Sequence, residues 1–279
     1  MLTNSIQKLK THHSSLSLIP DNLLTNPPPN SKILTYQKSV VTKMQRILGC
    51  VRNAVDTYNM IDDGDKIAVG VSGGKDSVLL LKALCGLKTF YPKNFELVAI
   101  TLDMRFNNVE GDFSEIQKIC DEYNVHYEIR RTELFDIIFN VRKESNPCSL
   151  CARMRRGILH DTAKELSCNK IALGHHLDDA AETFLMNLLS EARIGCFQPV
   201  TYLSRKDITM IRPLIHLTEN DVESAIIRLN LPVIKSKCPA NENTRREDVK
   251  NLIKQLNEQY EDVPQKIIGA IKRSHIDNW

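Results

Sequence analysis

The sequence contains no apolar run approaching the roughly 20 residues that a helix needs to cross a bilayer, so no helical membrane span is expected. Its start, MLTNSIQKLKTHHSSLSL, lacks a continuous apolar core and a small-residue cleavage site, and a secretory signal is not expected either. An excess of one charge is also missing. The 37 Lys and Arg against 34 Asp and Glu leave +3, so composition alone does not argue for a nucleic-acid partner. Internal repeats are absent. What is there is a chain of 279 residues, 42% hydrophobic and 25% charged, which can bury a sizeable core as a soluble domain. Eight cysteines without an export signal point to a reducing, cytoplasmic location, where clustered thiols serve metal binding or catalysis more readily than disulfides.

Residues 1–31 read as a disordered extension, rich in Ser, Asn and Thr and ending in Pro27-Pro28-Pro29. They contain no arginine and no acidic residue before Asp21, so a transit peptide is the alternative. Residues 32–275 read as one domain with an N-terminal helix over 33–60, a core over 61–217 and a C-terminal helical segment over 218–275. The first helix shows Val40, Val41, Met44, Ile47, Leu48, Val51 and Val55 at helical spacing. Strands are expected over 67–71, 97–103, 126–130 and 170–174, and helices over 77–87, 113–123, 151–167 and 180–189. Such alternation, with strands apolar on both faces, predicts an α/β fold with a parallel, Rossmann-like sheet. Thr218 and Asp221 form a capping-box pattern that opens a helix over 219–229, followed by another over 246–259.

Three stretches carry chemistry. GVSGGKDS (70–77) joins the first strand to the first core helix. Gly73 and Gly74 let backbone N–H groups approach an anion, Ser72 and Ser77 offer hydroxyls, and the helix N-terminus adds positive potential. The spacing is too short for the Walker-type phosphate loop. GHHLDDAAET (174–183) occupies another strand-to-helix junction, where Asp178 and Asp179 either cap the helix or hold Mg²⁺ and orient a nucleophile. His175 and His176 sit next to each other, so on a strand they point to opposite faces and are not assigned as ligands.

The third stretch is NPCSLCARMRRG (146–157), with Cys148 and Cys151 three apart and no second such pair in the chain. A zinc half-site, a redox pair and an iron–sulfur site all remain open for it. Cys50, Cys85 and Cys120 lie in helical patterns beside apolar neighbours and read as core; Cys168 and Cys196 are expected to be more exposed and have no partner pattern. Cys238 lies in a basic, Pro-containing loop, and Pro239 directly after it matches a habit of iron–sulfur ligands.

The SGGKDS run resembles the pyrophosphate loop of N-type ATP pyrophosphatases, which have an adenine nucleotide α-hydrolase-like fold. In order along the chain, the 33–60 helix, that loop, PCSLCARMRRGIL (147–159), GHHLDDAAET, IRPL (211–214) and Cys238 together resemble the tRNA 2-thiocytidine synthetase family over roughly residues 32–275. The resemblance implies ATP bound by Ser72, Gly73, Gly74, Lys75, Asp76 and Ser77. It implies Mg²⁺ and catalytic roles for Asp103, Asp178 and Asp179, and a [4Fe–4S] cluster on Cys148, Cys151 and Cys238. The implied activity is ATP-dependent thiolation of a tRNA base, most specifically cytidine 32 of the anticodon loop. Sulfur would come from a cysteine desulfurase or free sulfide, and a homodimer is the assembly considered. The setting Lys-Cys-Pro-Ala around Cys238 and the run SEARIGCF after the Asp-Asp block depart from the best-known bacterial members. A tRNA 2-thiouridine synthetase is the rival enzyme, and a non-catalytic iron–sulfur or RNA-binding protein the rival of another class.

Basic residues flank both cysteine segments. Arg153, Arg155 and Arg156 follow Cys151, with 153 and 156 expected on one helix face and 155 turned away; Arg245 and Arg246 follow Cys238. Cations near thiolates lower thiol pKa values and attract phosphodiesters, so all five are expected to contact tRNA.

Overall fold

The computed structural model describes residues 30–142, 147–235, 237–238 and 245–279, with side chains described from residue 44 onward. Apart from its last two residues, the extension expected over 1–31 lies outside the described residues. Asn30 and Ser31 already belong to helix α1, Asn30–Thr57. Among the described residues, no helix is long and apolar enough to cross a membrane.

The core unit is a strand–helix alternation: β1 (Asp65–Gly70), α2 (Lys75–Lys88), β2 (Phe95–Asp103), α3 (Ser114–Glu122), β3 (His126–Arg131), α4 (Pro147–Glu165), β4 (Lys170–Ala172) and α5 (Leu177–Glu191). It continues into β5 (Val200–Leu203), β6 (Ile208–Ile211), α6 (Glu219–Arg228), α7 (Arg245–Gln259) and α8 (Val263–Arg273). The strands form one six-stranded sheet in the order β3-β2-β1-β4-β6-β5. All neighbours run parallel except β5 and β6, an antiparallel hairpin at the edge. That hairpin has no counterpart in the sequence expectations, and α8 falls inside the helical segment expected over 218–275 without having been delimited as a helix there. Four-residue strands such as VTYL and ITMI are too short to carry a legible period.

Alternation along β1 explains why the sheet is covered on both sides. Ile67 and Val69 face a large core with α1, α2, α6 and α8, whereas Ala68 faces Val98, Ile100 and the α4 residues Leu159 and Ala163. Helix α2 lies deep enough that Leu79, Leu80, Leu81 and Leu84 are all fully buried, which is why its apolar run shows no polar stripe. At the amino end of the sheet the buried Lys170 ammonium is matched by Asp65 at 2.7 Å, Asp62 at 2.8 Å and the Met60 carbonyl at 3.1 Å. A charge taken out of water is tolerated there because each proton has an acceptor.

The expected capping box is present: the Thr218 hydroxyl accepts the Asp221 N–H at 3.1 Å and starts α6. Just before it, His216 packs its ring 5.5 Å from that of Tyr58 and places Nε2 3.4 Å from the Lys272 ammonium. Burial, then Lys272, push this imidazole down to about 4. The unfolded chain therefore binds a proton on His216 between roughly pH 6.5 and 4 that the folded chain refuses, so its contribution to stability is lost as pH falls through that window. The urea midpoint is expected to fall between pH 7 and pH 4.5. It should fall less for His216→Phe, which keeps the ring against Tyr58; equal falls would refute the assignment.

Candidate nucleotide and thiol site

In the order β3-β2-β1-β4-β6-β5, connections leave β1 toward one edge and β4 toward the other, so a crevice opens beyond the carboxyl ends of these two strands. The 72–77 loop after β1 and the 174–179 turn before α5 border it. Their approach is close. A Cβ built on Gly174 would stand 3.0 Å from the Asp76 carbonyl carbon and 3.2 Å from the Ser77 nitrogen, both backbone atoms. Glycine is the residue type that lets the two turns meet at this separation.

Hydroxyls preform the phosphate loop. Ser77 Oγ donates to the Gly74 carbonyl at 2.9 Å and accepts the Ser72 N–H at 3.1 Å, while Gly74 N–H lies 3.4 Å from Ser72 Oγ. Gly74 is the N-cap of α2 and makes no side-chain capping bond, so the first turn keeps N–H groups for an anion. Gly73 takes φ +85° and its carbonyl accepts the Ile234 N–H at 2.9 Å; a Cβ there would lie 2.9 Å from that of Ile234. The segment leading into Cys238 is therefore fastened to the phosphate loop. The sequence carries no signal for this, because the bond is made by backbone atoms far apart in the chain.

Charges beside the loop alternate. Lys75 reaches Asp76 at 2.9 Å and Glu219 at 3.3 Å, and Lys250 reaches Glu219 at 2.8 Å. Burial opposes the charge on Lys75, but hydrogen bonding and attraction to Asp76 and Glu219 hold its pKa above the usual lysine value. Asp178 accepts the Glu219 N–H at 2.7 Å, tying α5 to the start of α6. Asp179 accepts the His176 N–H at 2.9 Å as part of the α5 cap.

His176 stands among three carboxylates, with ring nitrogens 3.7 Å from Asp76, 3.6 Å from Asp178 and 3.5 Å from Asp179. Burial works against protonation, yet these aspartates raise its pKa. Sequence reasoning set this residue aside on the alternation of a strand, but β4 ends at Ala172 and His176 is the N-cap of α5. The two histidines do diverge: His175 packs against Phe197 at 5.1 Å, and burial, followed by Arg212, lowers it to about 4. Burial, with Asp179 next to it, pushes Glu182 up to about 7, while Arg246, Lys250 and His176 pull it down.

Asp103 ends β2 as expected, and its carboxylate accepts the Arg105 N–H at 2.9 Å and the Gly111 N–H at 3.0 Å. It holds the 103–111 loop closed. A strand-end aspartate of this kind is indistinguishable in sequence from a ligand.

Cys148 and Cys151 lie one turn apart at the start of α4, and Cys151 is packed with Leu150, Met154 and Ile158 against a cluster containing Met104 and Ile138. Burial raises the Cys151 pKa; Arg155 lowers it, and Cys238 and Cys148 raise it, so both other thiols lie within its electrostatic reach. Among the described residues, no group of three or more His, Cys, Asp or Glu side chains is gathered to hold a metal ion.

The arginines separate into groups. Arg153, Arg155 and Arg156 are exposed. Arg155, expected to turn away, is the one that reaches back to Cys151, because a helix places i and i+4 on one face. Arg156 Nε donates to the Ala152 carbonyl at 3.2 Å, and Arg245 is exposed on α7. Arg246 turns inward to Asp179 at 3.2 Å, Thr183 at 3.3 Å and Glu182 at 3.7 Å.

A PP-loop domain family model matches residues 42–256. The chain is similar to the tRNA-cytidine(32) 2-sulfurtransferase of Syntrophotalea carbinolica, 38% identical over 82% of this chain and 88% of that one. It is likewise similar to that of Pelobacter propionicus, 32% identical over 91% and 96%. Among solved structures it resembles the U34-tRNA thiolase NcsA from Methanococcus maripaludis with its [4Fe–4S] cluster. That match has a TM-score of 0.66 and 26% identity over 83% of this chain and 78% of that one.

Gly174→Ala should cost about 1–3 kcal/mol in urea unfolding, because backbone must shift to admit the methyl group, and should weaken ATP binding measured by equilibrium dialysis. Gly157→Ala on α4, with nothing within 4 Å of the new atom, serves as the control and should be neutral or stabilising.

Proposed function

The chain belongs to the PP-loop domain family and, within it, to the tRNA-cytidine(32) 2-sulfurtransferases, and from that membership we propose that it thiolates tRNA with ATP at cytidine 32 of the anticodon loop. The observation that supports this most directly is the Ile234 N–H bond to the Gly73 carbonyl, which brings the segment bearing Cys238 onto the phosphate loop. Thiol chemistry and phosphate chemistry then share one crevice.

Residues 72–77 bind the ATP phosphates through backbone N–H groups, with Lys75 as the adjacent cation. Asp178 and Asp179 are the carboxylates we propose for Mg²⁺, and Asp103 shapes the loop on the other side of β1. The 2-carbonyl oxygen of the base attacks the α-phosphorus and pyrophosphate leaves. The oxygen, now bound to AMP, departs when sulfide adds at the base carbon, so oxygen exits on AMP and sulfur takes its place. Binding and orienting both reactants is what the chain itself contributes to these steps.

The donor set fits a cluster more readily than a lone ion. It consists of three thiols, one half-buried among apolar side chains, where Arg155 partly offsets the burial that raises its pKa. Cys148, Cys151 and Cys238 would hold [4Fe–4S], whose iron without a protein ligand supplies a place for sulfide. A cysteine desulfurase or free sulfide is the proposed source. Arg153, Arg156 and Arg245, exposed around the thiols, are the proposed contacts to the tRNA backbone, and the target base is drawn from its loop stack into the crevice. The proposed location is the cytoplasm, where thiols stay reduced.

Anaerobically prepared protein should release pyrophosphate from ATP in the presence of tRNA. Cys238→Ala should lose the visible cluster absorbance and sulfur transfer together. Sulfur transfer that survives without the absorbance contradicts the proposal.

A further inference from the structure

Arg246 opens a helix whose docking face is easily read. Val249 and Ile253 bury with Ala181 of α5, with Leu185 and Met186 packed beside them. Lys250, on the same stripe, reaches Glu219 at 2.8 Å. Positions 246, 249, 250 and 253 follow one another at helical spacing, so Arg246 is the amino-terminal end of the face that meets α5, although its side chain stays 45% exposed, and its neighbour Arg245 lies off that face. Its guanidinium spreads over three acceptors on two turns of α5: Asp179 Oδ1 at 3.2 Å, Thr183 Oγ1 at 3.3 Å and Glu182 Oε2 at 3.7 Å. Asp179 is committed on its other oxygen to the His176 N–H. Four residues before Cys238, the Ile234 N–H is bonded to Gly73. Cys238 thus lies between two anchors, one on the phosphate loop and one on the Asp178–Asp179 block.

We propose that Arg246 is a positioning residue that fastens the chain carrying Cys238 to the Asp178–Asp179 block, keeping this thiol in register with Cys151, and that it does not contact tRNA phosphate. The proposal rests on the reading of Cys238 as a thiol of the site. A planar guanidinium can serve three acceptors at once from one position, whereas a lysine ammonium on a flexible stem cannot hold the same fork. Charge alone should not restore the function.

The test uses the full chain, cluster-free and reduced, in a Cys148→Ala background so that Cys151 and Cys238 are the pair of interest. A short bifunctional thiol reagent, dibromobimane, is added and the 151–238 cross-link is quantified by peptide mass spectrometry; tRNA affinity is measured separately by filter binding at several salt concentrations. Arg246→Met and Arg246→Lys should both lower the cross-link yield several-fold, with the far-UV circular dichroism unchanged and tRNA affinity within about twofold of the parent. An unchanged cross-link yield, with weaker tRNA binding in Arg246→Met and a salt slope reduced by about one, overturns the proposal and returns Arg246 to the phosphate contacts. Neither readout requires a cluster or turnover. A chain that failed to thiolate cytidine would leave the cross-linking result standing.

Discussion

Two strand-to-helix turns press together at the switch point of the sheet, so closely that a Cβ on Gly174 would stand 3.0–3.2 Å from backbone atoms of the other turn. The contact of Gly174 with the backbone of Asp76 and Ser77 is what places the phosphate loop and the Asp178–Asp179 block on one crevice. Much of the site depends on that separation. His176 can lie within 3.7 Å of aspartates from both turns because of it, and Lys75 from one turn can share Glu219 with Lys250 from α7. A parallel sheet supplies the crevice in any such fold; the glycine sets how narrow it is.

The second organising feature is the interleaving of charge. Asp76, Asp178, Asp179, Glu182 and Glu219 would repel one another if left alone, and Lys75, His176, Arg246 and Lys250 stand between them. The pKa directions record this competition: Lys75 and His176 are raised despite burial, and Glu182 rises toward neutrality where burial prevails. Such a network holds the side chains that border the crevice in fixed relation to one another. It also engages Arg246 through Asp179, whereas Arg155 turns to a thiol.

Much of the parallel core could be read from the sequence, because each buried strand and helix there carries its own periodic pattern and the loops between them hold the glycines and aspartates. The phosphate loop and the aspartate block belong to that category. The edge hairpin of β5 and β6 was not legible, since four-residue strands show too little alternation. His176 was set aside as a ligand on strand alternation, whereas the strand ends at Ala172 and the residue caps α5. Asp103 and Arg246 stood out in the sequence, but their partners are chosen by tertiary packing: loop amides for the first, the acidic face of α5 for the second. The bond from Ile234 to Gly73 has no sequence signature, being made by backbone groups that every residue but proline carries.

If the crevice joins ATP to the cysteine trio as proposed, the consequence is a single modified nucleoside. Mass spectrometry of tRNA nucleosides from cells lacking this protein tests that most directly. Loss of 2-thiocytidine, restored by the wild-type chain and not by one carrying Cys238→Ala, is the predicted result. Persistence of 2-thiocytidine, or loss of a thiouridine in its place, would contradict it.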